Sequence, residues 1–176
     1  MSATLPGIAQ SVAVVGSDVL WEDWADLVRV AHGAPGRPGS LYHRADPADI
    51  KGFHTDGVDL AWVQGYDRQP DSSYARLELW TAPYVADPSE LRPRFVRLLD
   101  PTRHPSAFGG GWYVTLPAAP WRIEAVRLED GARRRWVSSI PGALSYPPIY
   151  VSDHEILLQD PDLIRLDPHL LPLVDE

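Results

Sequence analysis

The sequence predicts a single α+β domain spanning residues 1–176, with two helices, a mostly antiparallel sheet of about five to seven strands and long proline-rich loops. Three observations carry that expectation. Two segments combine helical spacing of apolar residues with capping residues. Several short runs alternate apolar and polar residues between turn signals. The chain also holds 18 prolines and 7 tryptophans, a mixture that fits ordered connections pinned by ring packing.

Taken in order, Gln10–Gly16 reads as a short buried strand. A helix is expected from about Asp18 to His32, capped by Ser17 or Asp18, with Glu22 and Asp23 in its first turn and Gly33 at its end. Leu20, Trp24, Leu27, Val28 and Ala31 form its apolar face. Residues 33–40 read as a loop. Strands are expected at Ser40–Arg44, Val58–Val63 and Ala75–Thr81, the last two joined by a hairpin-like loop at Gly65–Ser73. Asp87, Pro88 and Glu90 open a second helix, short or kinked because Pro93 removes a donor, ending near Asp100. A loop follows at 101–111. Trp112–Leu116 and Arg122–Leu128 read as strands, and Asp130–Gly131 turns the chain back into Arg133–Ser138 as a hairpin. Residues 140–148 run extended, and Glu155–Leu158 is a last strand. No internal repeat is evident.

Composition narrows the function classes. Apolar residues are 44% and charged residues 23%, ordinary for a folded protein and not for a disordered one. A formal charge of −8 argues against binding nucleic acid through its phosphates, and no apolar run approaches a membrane span. The chain has no Cys, which excludes disulfides, thiolate metal sites and cysteine nucleophiles. The first residues have no basic stretch before their apolar run, so synthesis in the cytosol is the expectation. Lys51 stands against fifteen arginines, and Asn is missing, a bias that fits a GC-rich actinobacterial or phage genome and makes arginine abundance no sign of phosphate recognition. Gly109–Gly111 lacks the following Lys and Ser/Thr of a phosphate loop, and Arg133–Arg135 reads as a solvated hairpin arm.

Two sets of polar residues have catalytic or metal-binding chemistry. The stretch from Leu41 to Pro47, with His43 and Arg44, followed by Ile50 and Gly52–Phe53, resembles the first motif of ADP-ribosyltransferases; Asp153–Leu158, with Glu155, is similar to that family's late strand. The resemblance implies an NAD-consuming transferase in which Arg44 or His43 holds the dinucleotide, a short helix follows the first strand, and Glu155 stabilises the oxocarbenium-like centre. His54–Thr55–Asp56 has the His-x-Asp spacing of a facial metal triad and resembles iron- and 2-oxoglutarate-dependent oxygenases, with His154 as the distal imidazole and Arg165 for the cosubstrate carboxylate.

Neither set extends over much of the chain. The leading expectation is therefore a non-enzymatic structural or interaction protein without cofactor or metal, a subunit of a larger assembly. A virion neck or tail component is favoured over an immunity-type inhibitor. Its partners would be other protein chains, in a homo- or hetero-oligomer, with no direct nucleic acid and no membrane. Trp21, off the apolar stripe of the first helix, and Trp80, on the polar phase of its strand, stand as interface anchors or as rings packed under proline-rich loops.

Overall fold

The computed structural model describes residues 12–23, 26–30, 39–44, 48–71, 73–100, 106–116, 122–137, 149–160 and 162–174. Strands make up 66% of the described residues, which contain no α-helix. The chain divides into two compact units, Met1–Pro101 and Thr102–Glu176. Each is built from two small antiparallel sheets.

In the first unit, β1 (Val12–Val15), β2 (Asp18–Asp23), β3 (Asp26–Val30) and β4 (Gly39–His43) pair in chain order. So do β5 (Asp49–Thr55), β6 (Asp59–Arg68), β7 (Tyr74–Pro83) and β8 (Arg94–Leu99). In the second unit, β9 (Ser106–Gly109), β10 (Trp112–Thr115), β11 (Arg122–Arg127) and β12 (Arg133–Val137) form one meander. A three-stranded sheet follows, made of β13 (Ile149–Val151), β14 (Ile156–Asp160) and β15 (Asp162–Leu166). Each sheet is an up-and-down meander, the form of a β-propeller blade.

The α+β expectation is overturned at both expected helices. Asp18–His32 is not helical: Asp18–Asp23 and Asp26–Val30 are paired strands, with Leu20 opposite Arg29 and Trp21 opposite Val28. Two short apolar runs rich in Val, Leu and Trp satisfy helical spacing by accident when two residues separate them. Pairing wins because it satisfies the backbone while β1 lies on the other side of β2, Val15 opposite Asp18. Asp18, expected as a cap, accepts a hydrogen bond from the Tyr84 hydroxyl. At the second site Asp87 does cap, its carboxylate accepting from Ser89 N at 2.9 Å, but only a three-residue 3₁₀ turn follows, Pro88–Glu90. The chain turns extended at Leu91, and β8 begins one residue after Pro93, whose missing donor blocks a longer helix. The loops expected at 33–40 and 101–111 lie partly, and the extended run at 140–148 wholly, outside the described residues.

The repeat invisible in the sequence is structural. Each sheet opens with a strand, a tight turn and a second strand, the turns falling at 16–17, 56–58, 110–111 and 152–155. The second strand carries a large, fully buried side chain in every case: Trp21, Trp62, Trp112 and Ile156. In the first unit Val15, Leu20, Leu27 and Leu41 from one sheet join Ile50, Phe53, Leu60 and Trp62 from the other in one core. Trp62 meets Tyr42 of β4 with ring centroids 4.7 Å apart. In the second, Trp112, Val114, Ile123 and Ala125 pack with Val151, Ile156, Leu158 and Leu171. The indole Nε1 of Trp21 is buried without a hydrogen-bond partner. Each such orphan donor costs about 1–3 kcal/mol. Ring burial, worth roughly 3–5 kcal/mol per tryptophan against alanine, outweighs that cost.

The hairpin expected around Asp130–Gly131 forms, with Val126 opposite Arg133. Asp130 accepts from Ala132 N and pairs with Arg127, which holds its carboxyl down to about 2. Arg133–Arg135 is not a solvated arm. Arg135 donates to the buried Glu124 at 2.9 Å and Arg134 to the Leu171 carbonyl at 2.6 Å. Arg135 N reaches Pro172 O and Val174 N reaches Arg133 O, so residues 171–174 run along the free side of β12.

The glycine triplet has a packing reason. Gly110 and Gly111 form a two-residue turn with φ of +55° and +79°, values that l-residues with side chains adopt at a cost. A Cβ on Gly110 would lie 2.0 Å from Asp153 N, and one on Gly109 would lie 2.0 Å from Val151 O. The turn is thus pressed backbone to backbone against the segment leading into β14. Around Gly111 there is open space. Gly111→Ala is expected to cost about 1–2 kcal/mol from the backbone alone. Gly110→Ala adds overpacking against a main chain that cannot step aside, a further ~2 kcal/mol. Urea denaturation of the two variants separates these effects; equal losses would show that the turn is not pressed on residues 152–153.

Candidate functional site

In the first unit the open edge of the β5–β8 sheet joins a polar network to an aromatic row. Register places Phe53, Trp62, Trp80 and Phe95 side by side across the four strands, with Gln64, Glu78 and Leu98 in the next row. Gln64 is fully buried; its amide donates to the Tyr42 hydroxyl at 2.7 Å, and its carbonyl accepts from the Tyr66 hydroxyl at 3.4 Å. Burial raises both tyrosines. The Trp80 indole donates to Glu78 at 3.1 Å, Glu78 pairs with Arg76 at 3.3 Å, and Arg76 lies over the Tyr66 ring at 4.1 Å. The row thus runs from buried Phe53 and Trp62 through half-buried Trp80 to Phe95, which is 44% exposed and meets the Trp80 ring edge-on at 5.8 Å. Leu98, three residues further along β8, is 56% exposed.

In the second unit two imidazoles and a carboxylate converge. Asp153 Oδ2 lies 3.2 Å from His154 Nε2, and Asp153 Oδ1 lies 3.3 Å from His169 Nε2. The two imidazole rings are 5.4 Å apart. The three ligand atoms lie within 4.8 Å of one another, and these are the residues whose donor chemistry suits a metal ion. His169 sits on a 3₁₀ turn, Pro168–Leu170, capped by Asp167, and its ring stands edge-on to buried Trp112 at 5.3 Å.

The residues singled out in the sequence are divided between the two units. His43 and Arg44 belong to the first unit, where His43 Nδ1 lies 3.0 Å from Asp26 and Arg44 is half-buried. Glu155 belongs to the second and is paired with Arg165 at 2.6 Å, so Arg165 has a local partner too. The resemblance to ADP-ribosyltransferases implies a short helix after Arg44; Asp49–Thr55 is a strand instead, with Gly52 at a bulge opposite β6. Residues 45–47 lie outside the described residues. His54 and Asp56 lie in the first unit, where the Asp56 carboxylate accepts from Val58 N and Asp59 N and so closes the β5–β6 turn. His154 lies in the second unit with Asp153 and His169. Trp21 is buried, and Trp80 sits half-buried on β7, beside the outer strand β8.

Sequence reasoning missed Asp153 and His169 as a pair with His154, and Phe95 and Leu98 as exposed groups. For His169 the signal was present in Asp167-Pro168-His169, which repeats the Asp-Pro opening of the 3₁₀ turn at Asp87-Pro88. Phe95 and Leu98 fall within the span of the second expected helix, which does not form.

No family model matches the chain, and no curated protein does. Among solved structures, a chain in the crystal structure of a nidogen/laminin complex is similar in fold, with 15% identity and a TM-score of 0.54. The match covers 91% of this chain and 59% of that one, so this protein spans about three-fifths of its neighbour's length. Nothing in these comparisons points to a virion neck or tail component, or to an ADP-ribosyltransferase.

His54, half-buried on β5, is held below its ordinary value by desolvation. Between that lowered value and 6.5 the unfolded chain binds the proton and the folded chain does not. Stability contributed at this site is therefore complete above pH 6.5 and falls as the solution is acidified. His54→Gln removes the titration. Urea midpoints at pH 7.5 and 5.5 are expected to draw apart less in the variant than in the parent; identical pH slopes would contradict the assignment.

Proposed function

We propose that this protein is a β-sheet module that works by binding another protein chain, using the apolar side chains at the β8 edge. The observation that carries the reading is Phe95 at 44% and Leu98 at 56% exposure on the outer strand of their sheet, backed by half-buried Trp80. Large apolar groups clustered around an aromatic ring, with arginines alongside, have the composition of an interface centre. Arg94 and Arg97 interleave with the apolar residues, and the β7–β8 register slips between Leu79 and Trp80. Charge and irregular register both discourage simple strand addition. The mode is therefore side-chain docking onto a preformed aromatic shelf. The fold neighbour's presence in a protein–protein complex supports the reading without identifying a partner.

The test places a photocrosslinking phenylalanine analogue at position 95 and, as control, at exposed Asp71. Irradiation in an extract of the native cell is expected to give one dominant adduct from position 95, either a second copy or another protein, and none from position 71. Leu98→Asp should reduce that adduct at least about tenfold, the effect of losing a hot-spot contact. No adduct, or the same adducts from both positions, would overturn the reading.

A further inference from the structure

We infer that Asp153, His154 and His169 form a binding site for a first-row divalent transition-metal ion of the zinc class. The site lies wholly within the second unit and is independent of the β8 surface. Two imidazole nitrogens and one carboxylate suit Zn²⁺ and its neighbours, whereas Ca²⁺ and Mg²⁺ prefer oxygen cages.

The spacing fits. With metal–ligand lengths of about 2.0–2.1 Å, two ligands of a tetrahedral zinc ion stand roughly 3.3 Å apart. The two Asp153–histidine separations are 3.2 and 3.3 Å, one from each carboxylate oxygen, so either oxygen stands at ligand spacing from one imidazole. No pair of ligand atoms exceeds 4.8 Å, and the His154 side chain, 78% exposed, is free to rotate and close the remaining gap.

The site is also held from both sides. Asp153 follows the segment on which the Gly109–Gly111 turn is pressed, and Ser152 N donates to Glu155 O at 2.8 Å to close the same loop. His169 is fixed by the Asp167 cap on its N–H at 2.9 Å and by the edge of Trp112. The chain just beyond it is clamped on β12 by Arg134 and Arg135. Two anchored ligands and one mobile ligand give a site that forms without large ordering cost. Three protein ligands leave a fourth position toward solvent, because Asp153 is 59% and His169 38% exposed. Water, or a carboxylate or imidazole from a bound molecule, would fill it.

The same contacts could serve as ion pairs only, and zinc titration decides between the two. Calorimetry with zinc chloride on the whole chain is expected to show one saturable site. His154→Ala, whose exposed side chain carries none of the fold, should weaken binding at least about tenfold, as should His169→Ala. His43→Ala, which removes the histidine–aspartate pair of the first unit's β3–β4 edge, should leave it unchanged, and calcium chloride should give no saturable heat. Circular dichroism checks that each variant is folded. Absence of saturable zinc binding by the parent, or equal binding by the parent and His154→Ala, would overturn the proposal.

Discussion

Everything in this structure depends on burying one large side chain from the second strand of each small sheet. A three- or four-stranded meander has two faces and cannot remain stable with both in water. Trp62 and Trp112 solve this by joining the paired sheets within each unit into a shared core, Trp62 against Tyr42 and Trp112 with Ile156 and Leu158. The commitment is strong enough that the Trp21 indole N–H is buried without an acceptor. Since the centre of each unit is taken up by these rings, chemistry is left to edges and turns, and that is where both candidate surfaces lie.

The strands were legible where alternation and turn chemistry agreed. Val58–Val63 and Ala75–Thr81 lie within β6 and β7 almost completely, and Trp112–Leu116, Arg122–Leu128 and Arg133–Ser138 coincide with β10, β11 and β12 to within a residue or so. The Asp130–Gly131 turn was legible because Asp and Gly are the residues such a turn demands. The helices were not, for two different reasons. Over Asp18–His32 a hairpin with a two-residue connection mimics a period of 3.6, and Glu22 looks like first-turn charge although it is buried. Over Asp87–Asp100 the cap is real, but Pro93 and the β-sheet edge compete beyond its first turn, and the edge wins. The recurring hairpin escaped notice because its four turns differ in length and its buried position holds Trp three times and Ile once.

Site residues were legible in kind more than in grouping. His154 has the chemistry of a metal ligand, but its partners are set by topology. Asp153 is adjacent in sequence, whereas His169 arrives only after β14 and β15 have run out and back. His54 and Asp56 share a spacing with metal triads, yet the carboxylate is used by its own turn. Glu155 is used by Arg165 on the neighbouring strand. Asp56 and Glu155 each have a local partner, and the grouping of Asp153, His154 and His169 comes from strand pairing, which no linear motif encodes.

The three arginines of β12 show how the same logic connects framework to surface. Read as a charge run, Arg133–Arg135 looks like a solvated arm. Instead alternation sends Arg135 to Glu124 and Arg134 to the Leu171 carbonyl, while the β12 backbone bonds residues 172 and 174. Those contacts hold the segment immediately after His169, and the Trp112 ring holds His169 itself. The glycine turn holds Asp153 from the other side because any side chain there would strike the main chain. Thus the residues that stabilise this unit are the ones that orient the imidazole and the carboxylate. Asp153 and His169 are held as a consequence of how the sheet edges are closed, and need no separate scaffold of their own.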